Sequence, residues 1–338
     1  MPATFSELTT MRVGGPLGEF VRAGSTEQLV EAVREADSQD LPLLIMGGGS
    51  NLIVGDDGWT GRTVQVATAG LDIDGELVSA EAGMDWDQLV RASLEHGLSG
   101  LESMSGIPGL AGATPVQNVG AFGTETSDVL ESVTVYDRQT KEIEQWPAAR
   151  CGFGSHRSSI FKYSQRWVIL RVSFRLCRSS QSRPIRYAEL ASRLELPLGA
   201  TAAPGDVRTA VLEARRSRGS LLDAADHDTW TVGSFFLNPV VAEVPAAAAA
   251  APQFPDPKGT KIPAAWLIQQ SGFPRGYGAN FGSGRVRLST KHALAISNRG
   301  GACTAEVMAF AGHIRAGVSD RFGVTLRPEC HLINCELG

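Results

Sequence analysis

Glycine clustering is the feature that most limits what this chain can fold into. The sequence holds 38 glycines in 338 residues, gathered in blocks, and such blocks mark places where backbone turns at positive φ or approaches another group closely. The first block continues an apolar run: Leu43-Leu44-Ile45-Met46 passes straight into Gly47-Gly48-Gly49-Ser50-Asn51. A strand ending in bare backbone leaves N–H groups free to point at an anion, with Ser50 and Asn51 as side-chain donors. Ordinary turns also use glycine, so this block alone is compatible with a structural loop. It is neither GxxxxGK[ST] nor GxGxxG, which weakens the case for a P-loop kinase or an ordinary Rossmann dehydrogenase. The second block, Ser105 to Gly123, is too punctuated for a long regular element and reads as loop with short helical turns. It adds Thr114, Gln117 and Asn118 as donors. Two such surfaces in one domain favour a bulky cofactor bearing a polyphosphate over a pair of unrelated loops.

Around these blocks the pattern is α+β rather than strict βαβ repetition. Ser25 and Gln28 form an S-x-x-Q box ahead of Leu29, Val30 and Val33 at helical spacing. Strands are predicted at Thr63 to Ala67, Leu77 to Glu81, Val133 to Tyr136 and Trp167 to Phe174, and a helix at Trp86 to Glu95 stopped by Gly97. Cys177 to Ser182 reads as an exposed connection. Val207, Ala210, Val211 and Ala214 give a helix over Asp206 to Arg216. The alanine run from Ala246 is a short helix or loop. Pro263, suited to a first helical position, opens a helix over Ala264 to Gln270 that Gly272 ends. A last helix capped by Thr304 carries Val307, Phe310, Ala311, Ile314 and Val318, and a strand at Leu332 and Ile333 closes the chain.

Lys plus Arg number 31 against 36 Asp plus Glu, a net charge of −5. That balance argues against a sequence-independent grip on nucleic acid or anionic lipid and points to small-molecule ligands. No apolar stretch reaches the roughly 18 residues of a membrane span, and the N-terminus lacks a basic-then-apolar leader, so the cytoplasm is the expected location. The five cysteines, Cys151, Cys177, Cys303, Cys330 and Cys335, include no CxxC and support neither a disulfide framework nor a zinc ribbon. Asp226-His227-Asp228 reads as a solvated loop, because three successive side chains cannot face one ion without a special turn. No bound metal is expected.

Six motifs occur in order: Thr10-Met11-Arg12-Val13-Gly14-Gly15, MGGGSNLIV, GIPGLAGATPVQNVGAFG, HRSSIFK, GSFFLNPVV and RPEC. Together they resemble the UDP-N-acetylenolpyruvoylglucosamine reductase family over nearly the whole chain. The resemblance implies a two-part FAD-binding region of the vanillyl-alcohol-oxidase (PCMH) type and a smaller α+β substrate-binding domain. It would assign residues 1–195 to the FAD region, split near 60–70 and rejoined by the C-terminal strand at 325–338, and residues 196–324 to the substrate domain. The implied reaction is NADPH-dependent reduction of UDP-N-acetylglucosamine enolpyruvate to UDP-N-acetylmuramate, a step of peptidoglycan synthesis and hence of cell-wall formation, shape and division. FAD is the implied cofactor, NADPH the co-substrate, and a monomer the implied assembly. A flavin supplies redox chemistry to a chain without a metal cluster.

Carried over position by position, the family's cofactor contacts fall on Met46, Gly47, Gly48, Gly49, Ser50, Asn51 and Leu52. In the second block they fall on Ile107, Pro108, Gly109, Gly112, Thr114, Pro115, Gln117, Asn118, Gly120, Ala121 and Gly123. Ser234 matches the family serine that protonates C2 of the substrate, although a loop serine by itself would be read as capping backbone. Glu329 matches the glutamate beside the substrate carboxylate and enol oxygen. There it serves as a hydrogen donor, which implies a carboxyl titrating above its usual range. Arg157 matches the arginine whose fork holds the carboxylate and developing enolate. For the substrate's nucleotide end, Tyr187 resembles the tyrosine of type I members, Arg218 stands where relatives carry a diphosphate lysine, Asn238 matches a uridine-side asparagine, and Gln270 is a further position.

Two positions depart from the pattern. His156 replaces the tyrosine of the usual Gly-Tyr-Arg-x-Ser, and His331 stands where relatives often carry arginine, which exchanges a permanent charge for a titratable one. Two other functions are weighed: a flavin oxidase of a sugar or alcohol on the same fold, and a non-catalytic nucleotide-sugar binding module. The first leaves the ordered Arg157, Ser234 and Glu329 unexplained, and the second predicts a colourless protein.

Overall fold

The computed structural model describes residues 2–154 and 158–338, so Arg157 and His156 lie outside the described residues. Two compact units share the chain: one is Glu19–Gly48 with Gly61–Ser217, the other Met1–Gly18, Gly49–Thr60 and Arg218–Gly338. The chain passes between the units at Gly18, Gly48, Thr60 and Ser217, so one crossing falls inside the first glycine block, between Gly48 and Gly49.

The unit built on Gly61–Ser217 is organised on two larger sheets, besides the short two-stranded pairs Leu98–Ser99 with Cys177–Arg178 and Gly120–Ala121 with Thr124–Glu125. A three-stranded sheet places Trp59–Val66 between Leu17–Ala23 and Leu43–Met46, the last pair running parallel with Ile45 opposite Val64. Helix α1, Thr26–Ser38, buries Leu29, Val30, Val33 and Ala36, the spacing expected of one apolar face. Ser25 caps it by accepting the Gln28 N–H, while the Gln28 side chain accepts from Gly24 N–H at 2.9 Å rather than from the cap residue. Buried Arg62 donates to the Ala32 carbonyl and to the carboxylates of Glu35 and Glu19, tying the central strand to α1. A five-stranded antiparallel sheet follows, in the order Glu142–Pro147, Leu130–Asp137, Trp167–Arg175, Leu77–Glu81, Leu71–Asp74. Helix α2, Trp86–Glu95, is capped by Asp85 and sets Trp86 edge-on to Phe174 of that sheet, with centroids 5.6 Å apart. Asp137, 1% exposed, takes a two-pronged bond from Arg166, which holds its carboxyl well below the usual range. Helices α3, Ala188–Arg193, and α4, Pro204–Ser217, form a smaller core with Phe122, Leu190, Val207 and Val211.

The other unit packs helix α5, Ala264–Gln270, and helix α6, Thr304–Phe322, around Phe235, Phe236, Leu267, Phe310 and Ile314. It also holds the hairpin Val286–Leu288 with Ile296–Asn298. The C-terminal strand His331–Ile333 pairs in parallel with Leu52–Val54, directly after the first glycine block. Two caps differ from expectation. Pro263 is the residue before α5 rather than its first residue. Cys303, not Thr304, caps α6, in a box with Glu306. Thr304 is instead the first helical residue, and its buried hydroxyl donates to the Val54 carbonyl at 2.6 Å. No helix among the described residues is long and apolar enough to cross a membrane.

Candidate cofactor and active site

In the unit containing both Gly47–Gly48 and the second block, the two glycine-rich segments lie against each other. A Cβ added to Gly47 would meet Leu110 Cδ1 at 3.1 Å, and one on Gly48 would meet Gly109 Cα at 3.5 Å. The half-buried stretch Ile107, Pro108 and Gly109 is anchored where the Trp86 N–H donates to the Gly109 carbonyl at 3.1 Å. Just upstream, Asp87 accepts the Gly106 N–H at 2.6 Å, and Arg215 of α4 donates to the Gly106 carbonyl at 3.0 Å. Arg208 of α4 closes the clasp with two 2.7 Å bonds to Asp87.

Within the block, glycines and polar residues divide by task. Gly112 is pressed on the sheet: its missing Cβ would lie 2.5 Å from Ala82 Cβ. Gly123, at φ +84°, leaves room for Arg186 Cβ at 2.9 Å. Gly120-Ala121 pairs with Thr124-Glu125 in a short hairpin. The Asn118 amide is engaged at both ends, donating to Glu125 and accepting from Ser127 N–H, each at 2.8 Å. The Thr114 hydroxyl donates to the Ala111 carbonyl, and Pro115 is buried while Gln117 is half-buried. Ser159 Oγ donates to the Val116 carbonyl at 2.8 Å, joining the serine of the HRSS segment to this block. Tyr187 packs edge-on to Phe122, centroids 5.4 Å apart.

In the other unit, Gly49 adopts φ +63°, and a Cβ there would lie 2.2 Å from the Leu8 carbonyl oxygen. The Asn51 carbonyl accepts the His331 N–H at 3.0 Å, and Leu52 is buried in the pairing with His331–Ile333. The Asn51 Nδ2 is buried and has no hydrogen-bond partner among the described residues. A donor left in that state costs about 1–3 kcal/mol, and a phosphate oxygen would satisfy it. Bare glycine backbone beside an orphaned amide donor is the donor set an FAD pyrophosphate requires.

Ser234 and Glu329 occupy adjoining backbone in this same unit. Phe236 bridges Pro328 in antiparallel register, the Glu329 N–H donates to the Phe235 carbonyl at 2.8 Å, and the Leu237 N–H donates to the Arg327 carbonyl at 2.9 Å. Ser234 follows Gly233, which turns at φ +76°, and precedes Phe235, whose N–H donates to the Leu294 carbonyl. Both side chains are half-buried, and the Ser234 hydroxyl has no hydrogen-bond partner among the described residues.

The nucleotide-end positions separate. Arg218 lies near His292, and so does Arg275: burial first, then these two cations, push the imidazole below its ordinary value. His292 Nδ1 accepts the Leu294 N–H at 3.1 Å, which leaves the ring proton on Nε2. Arg275 and His292 escape sequence reasoning, since Phe273-Pro274-Arg275-Gly276 and Lys291-His292 carry no local signal beyond turn residues and charge. Asn238 accepts the Ala264 N–H at 2.8 Å, capping α5, whereas Gln270 is exposed at the far end of that helix, about 9 Å away along its axis. Asp226, His227 and Asp228 diverge: Asp226 pairs with Lys291, Asp228 with Arg299, and His227 packs edge-on to Trp230. No group of residues suited to a metal occurs among the described residues, and the five cysteines are free.

Comparison with known proteins agrees with this layout. An FAD-binding domain model matches residues 19–144, and the model of the C-terminal domain of UDP-N-acetylenolpyruvoylglucosamine reductase matches 224–333. The reductase of Thermobifida fusca is 46% identical over 350 residues, covering 98% of this chain and 97% of its own. That of Mycobacterium marinum is 48% identical over 345 residues, covering 98% and 94%. The crystal structure of the Thermus caldophilus reductase superposes with a TM-score of 0.68 at 23% identity, over 98% of this chain and 97% of that one, and so shares its fold. The expected α+β architecture with a PCMH-type FAD-binding region is thereby borne out. With identity of this order sustained along almost the full length of both chains, the protein belongs to the UDP-N-acetylenolpyruvoylglucosamine reductase family.

Proposed function

We propose that this protein reduces UDP-N-acetylglucosamine enolpyruvate to UDP-N-acetylmuramate at the expense of NADPH, as a cytoplasmic monomer acting on a small molecule, without nucleic-acid or membrane partners. Gly47, Gly48 and Gly49 would hold the FAD pyrophosphate through backbone N–H groups, with the Asn51 amide as side-chain donor and the Ile107 to Gly109 stretch alongside. The chemistry FAD supplies when bound is two-electron transfer from NADPH to C3 of the enolpyruvyl ether. Charge then builds at C2 and spreads into the neighbouring carboxylate. Ser234 donates its hydroxyl proton to C2: the O–H bond breaks, the C2–H bond forms, and water returns a proton to the serine oxygen. A hydroxyl is a weak acid, but a carbanion conjugated only to a carboxylate is a strong base, so a positioned weak acid suffices. Glu329, protonated, donates to the enolate oxygen, and Arg157 holds the carboxylate. Arg218, with Tyr187, Asn238 and Gln270, would engage the nucleotide end.

The observation that carries the mechanism is the backbone pairing that joins the Ser234 and Glu329 segments. A single-turnover test settles the reaction. The yellow protein, mixed with NADPH and the enolpyruvyl substrate in deuterated water, should yield the reduced product carrying solvent deuterium at C2. Oxygen consumption with simple sugars and no turnover of the enolpyruvyl ether would instead identify an oxidase.

A further inference from the structure

Thr10 touches both halves of the chemistry from one side chain and one amide. Its N–H donates to the carbonyl of Gly49, in the first glycine block, at 3.2 Å. Its hydroxyl donates to the carbonyl of Thr231 at 2.7 Å. Thr231 Oγ1 in turn accepts the Gly233 N–H at 3.0 Å, and the next residue is Ser234. The support under Thr10 is stiff. The Arg12 N–H returns to the Thr9 carbonyl, and the Thr9 hydroxyl donates to the Val13 carbonyl at 2.9 Å. Asn298 closes the arrangement: its amide donates to the Met11 carbonyl at 3.0 Å, and its backbone N–H donates to the Trp230 carbonyl at 3.1 Å. The Arg12 guanidinium lies 3.7 Å from the centre of the Trp230 ring. Beyond Ser234, Phe235 is held to Leu294 and Glu329. The serine is thus suspended between two fixed points, and only Val232 and Gly233 separate it from the one Thr10 controls.

We infer that Thr10 is a positioning residue for proton transfer: it sets the turn carrying Ser234 at a fixed offset from the Gly49 carbonyl of the cofactor loop. This rests on the reading of Ser234 as proton donor. A hydroxyl of fixed acidity gains its rate from placement, and a displacement of about 1 Å costs on the order of a hundredfold. The N-terminal segment therefore acts on the chemistry rather than merely covering a core.

The test uses Thr10→Val, which keeps the shape and the N–H bond to Gly49 but removes the hydroxyl, together with Thr10→Ser, Ser234→Ala and the Thr10→Val/Ser234→Ala pair. In the flavin-loaded enzyme, Thr10→Val should leave reduction by NADPH within about twofold while slowing oxidation by the enolpyruvyl substrate roughly tenfold or more, in kcat rather than KM, and Thr10→Ser should restore it. In the Ser234→Ala background the valine should cost nothing further, since both act on one step. Amide exchange over residues 230–234 of the flavin-free protein should quicken in Thr10→Val and recover in Thr10→Ser. Multiplicative losses, an unchanged Thr10→Val, equal slowing of both half-reactions, or no recovery with serine overturns the inference while leaving Ser234 as donor. A Ser234→Ala enzyme with an unimpaired substrate half-reaction removes the donor reading, and the role of Thr10 with it.

Discussion

Replacing Gly49 by alanine separates two demands that a cofactor-loop glycine can meet. One is conformational: φ is +63°, a region that costs an ordinary L-residue about 1–2 kcal/mol. The other is steric. The new methyl would sit 2.2 Å from the Leu8 carbonyl oxygen and 2.9 Å from Thr9 Cα. Both are backbone atoms, so no side-chain rotation relieves the overlap, and overpacking of this kind costs typically 1–3 kcal/mol. The sum is about 2–5 kcal/mol. Gly282 provides the control in the same unit, with φ +52° and nothing within 4 Å of an added Cβ. Gly282→Ala should show the conformational cost alone. Urea unfolding of the two flavin-free variants, followed by tryptophan fluorescence, should therefore place Gly49→Ala below Gly282→Ala by about 1–3 kcal/mol, and only Gly49→Ala should lose flavin on dialysis. Equal stabilities would show that the N-terminal segment yields to the methyl, and would refute the claim that Leu8 and Thr9 fix this loop.

Glu329→Gln retains a hydrogen donor but alters its acidity, so the substrate half-reaction should slow while NADPH reduction of the flavin persists; stopped-flow absorbance separates the two, and an unchanged rate excludes the residue. Burial opposes the charged form of Asp87, but the Arg208 fork and the Gly106 N–H outweigh it and hold the carboxyl below its usual range. Asp87→Asn should then destabilise its unit by roughly 1–2 kcal/mol and weaken flavin binding in a fluorescence titration; an unaltered Kd would detach this clasp from the cofactor loop. His292 is held neutral by burial, Arg218 and Arg275, so the unfolded chain binds its proton first. Stability from this group is complete above the ordinary histidine value of about 6.5 and falls as pH drops from there toward the lower folded value, a dependence that His292→Gln should flatten in thermal melts taken across that window.

The helices were legible because their cores are local. Leu29, Val30 and Val33, or Val207, Ala210, Val211 and Ala214, repeat at a spacing that only a helix satisfies, and α1, α2 and α4 occur where that spacing puts them. Edge strands are less legible. Glu142–Pro147 buries Trp146 alone, so its sequence shows no alternation of the kind a half-buried strand displays. Caps fail for a related reason. A threonine ahead of an apolar run reads as an N-cap, but Thr304 spends its hydroxyl on Val54, some 250 residues earlier, and no local rule registers such a partner.

The same division governs the site. Glycine excess identifies the two blocks, yet it does not separate a glycine left bare for a ligand from one left bare for a neighbour. Gly48 meets only Gly109 Cα at ordinary contact distance, whereas Gly112 is pressed on Ala82 and Gly123 on Arg186; the deciding atoms lie far along the chain in every case. Hydroxyls behave alike. Ser234 and Thr10 are equally plain in sequence, and what distinguishes them is where their bonds end: Thr10 on two carbonyls far apart along the chain, those of Gly49 and Thr231, Ser234 on none among the described residues. A threonine committed to two carbonyls serves as scaffold. A half-buried serine next to the glutamate segment, fixed on either side by backbone bonds, keeps its hydroxyl uncommitted, which is what the proposed donor role requires.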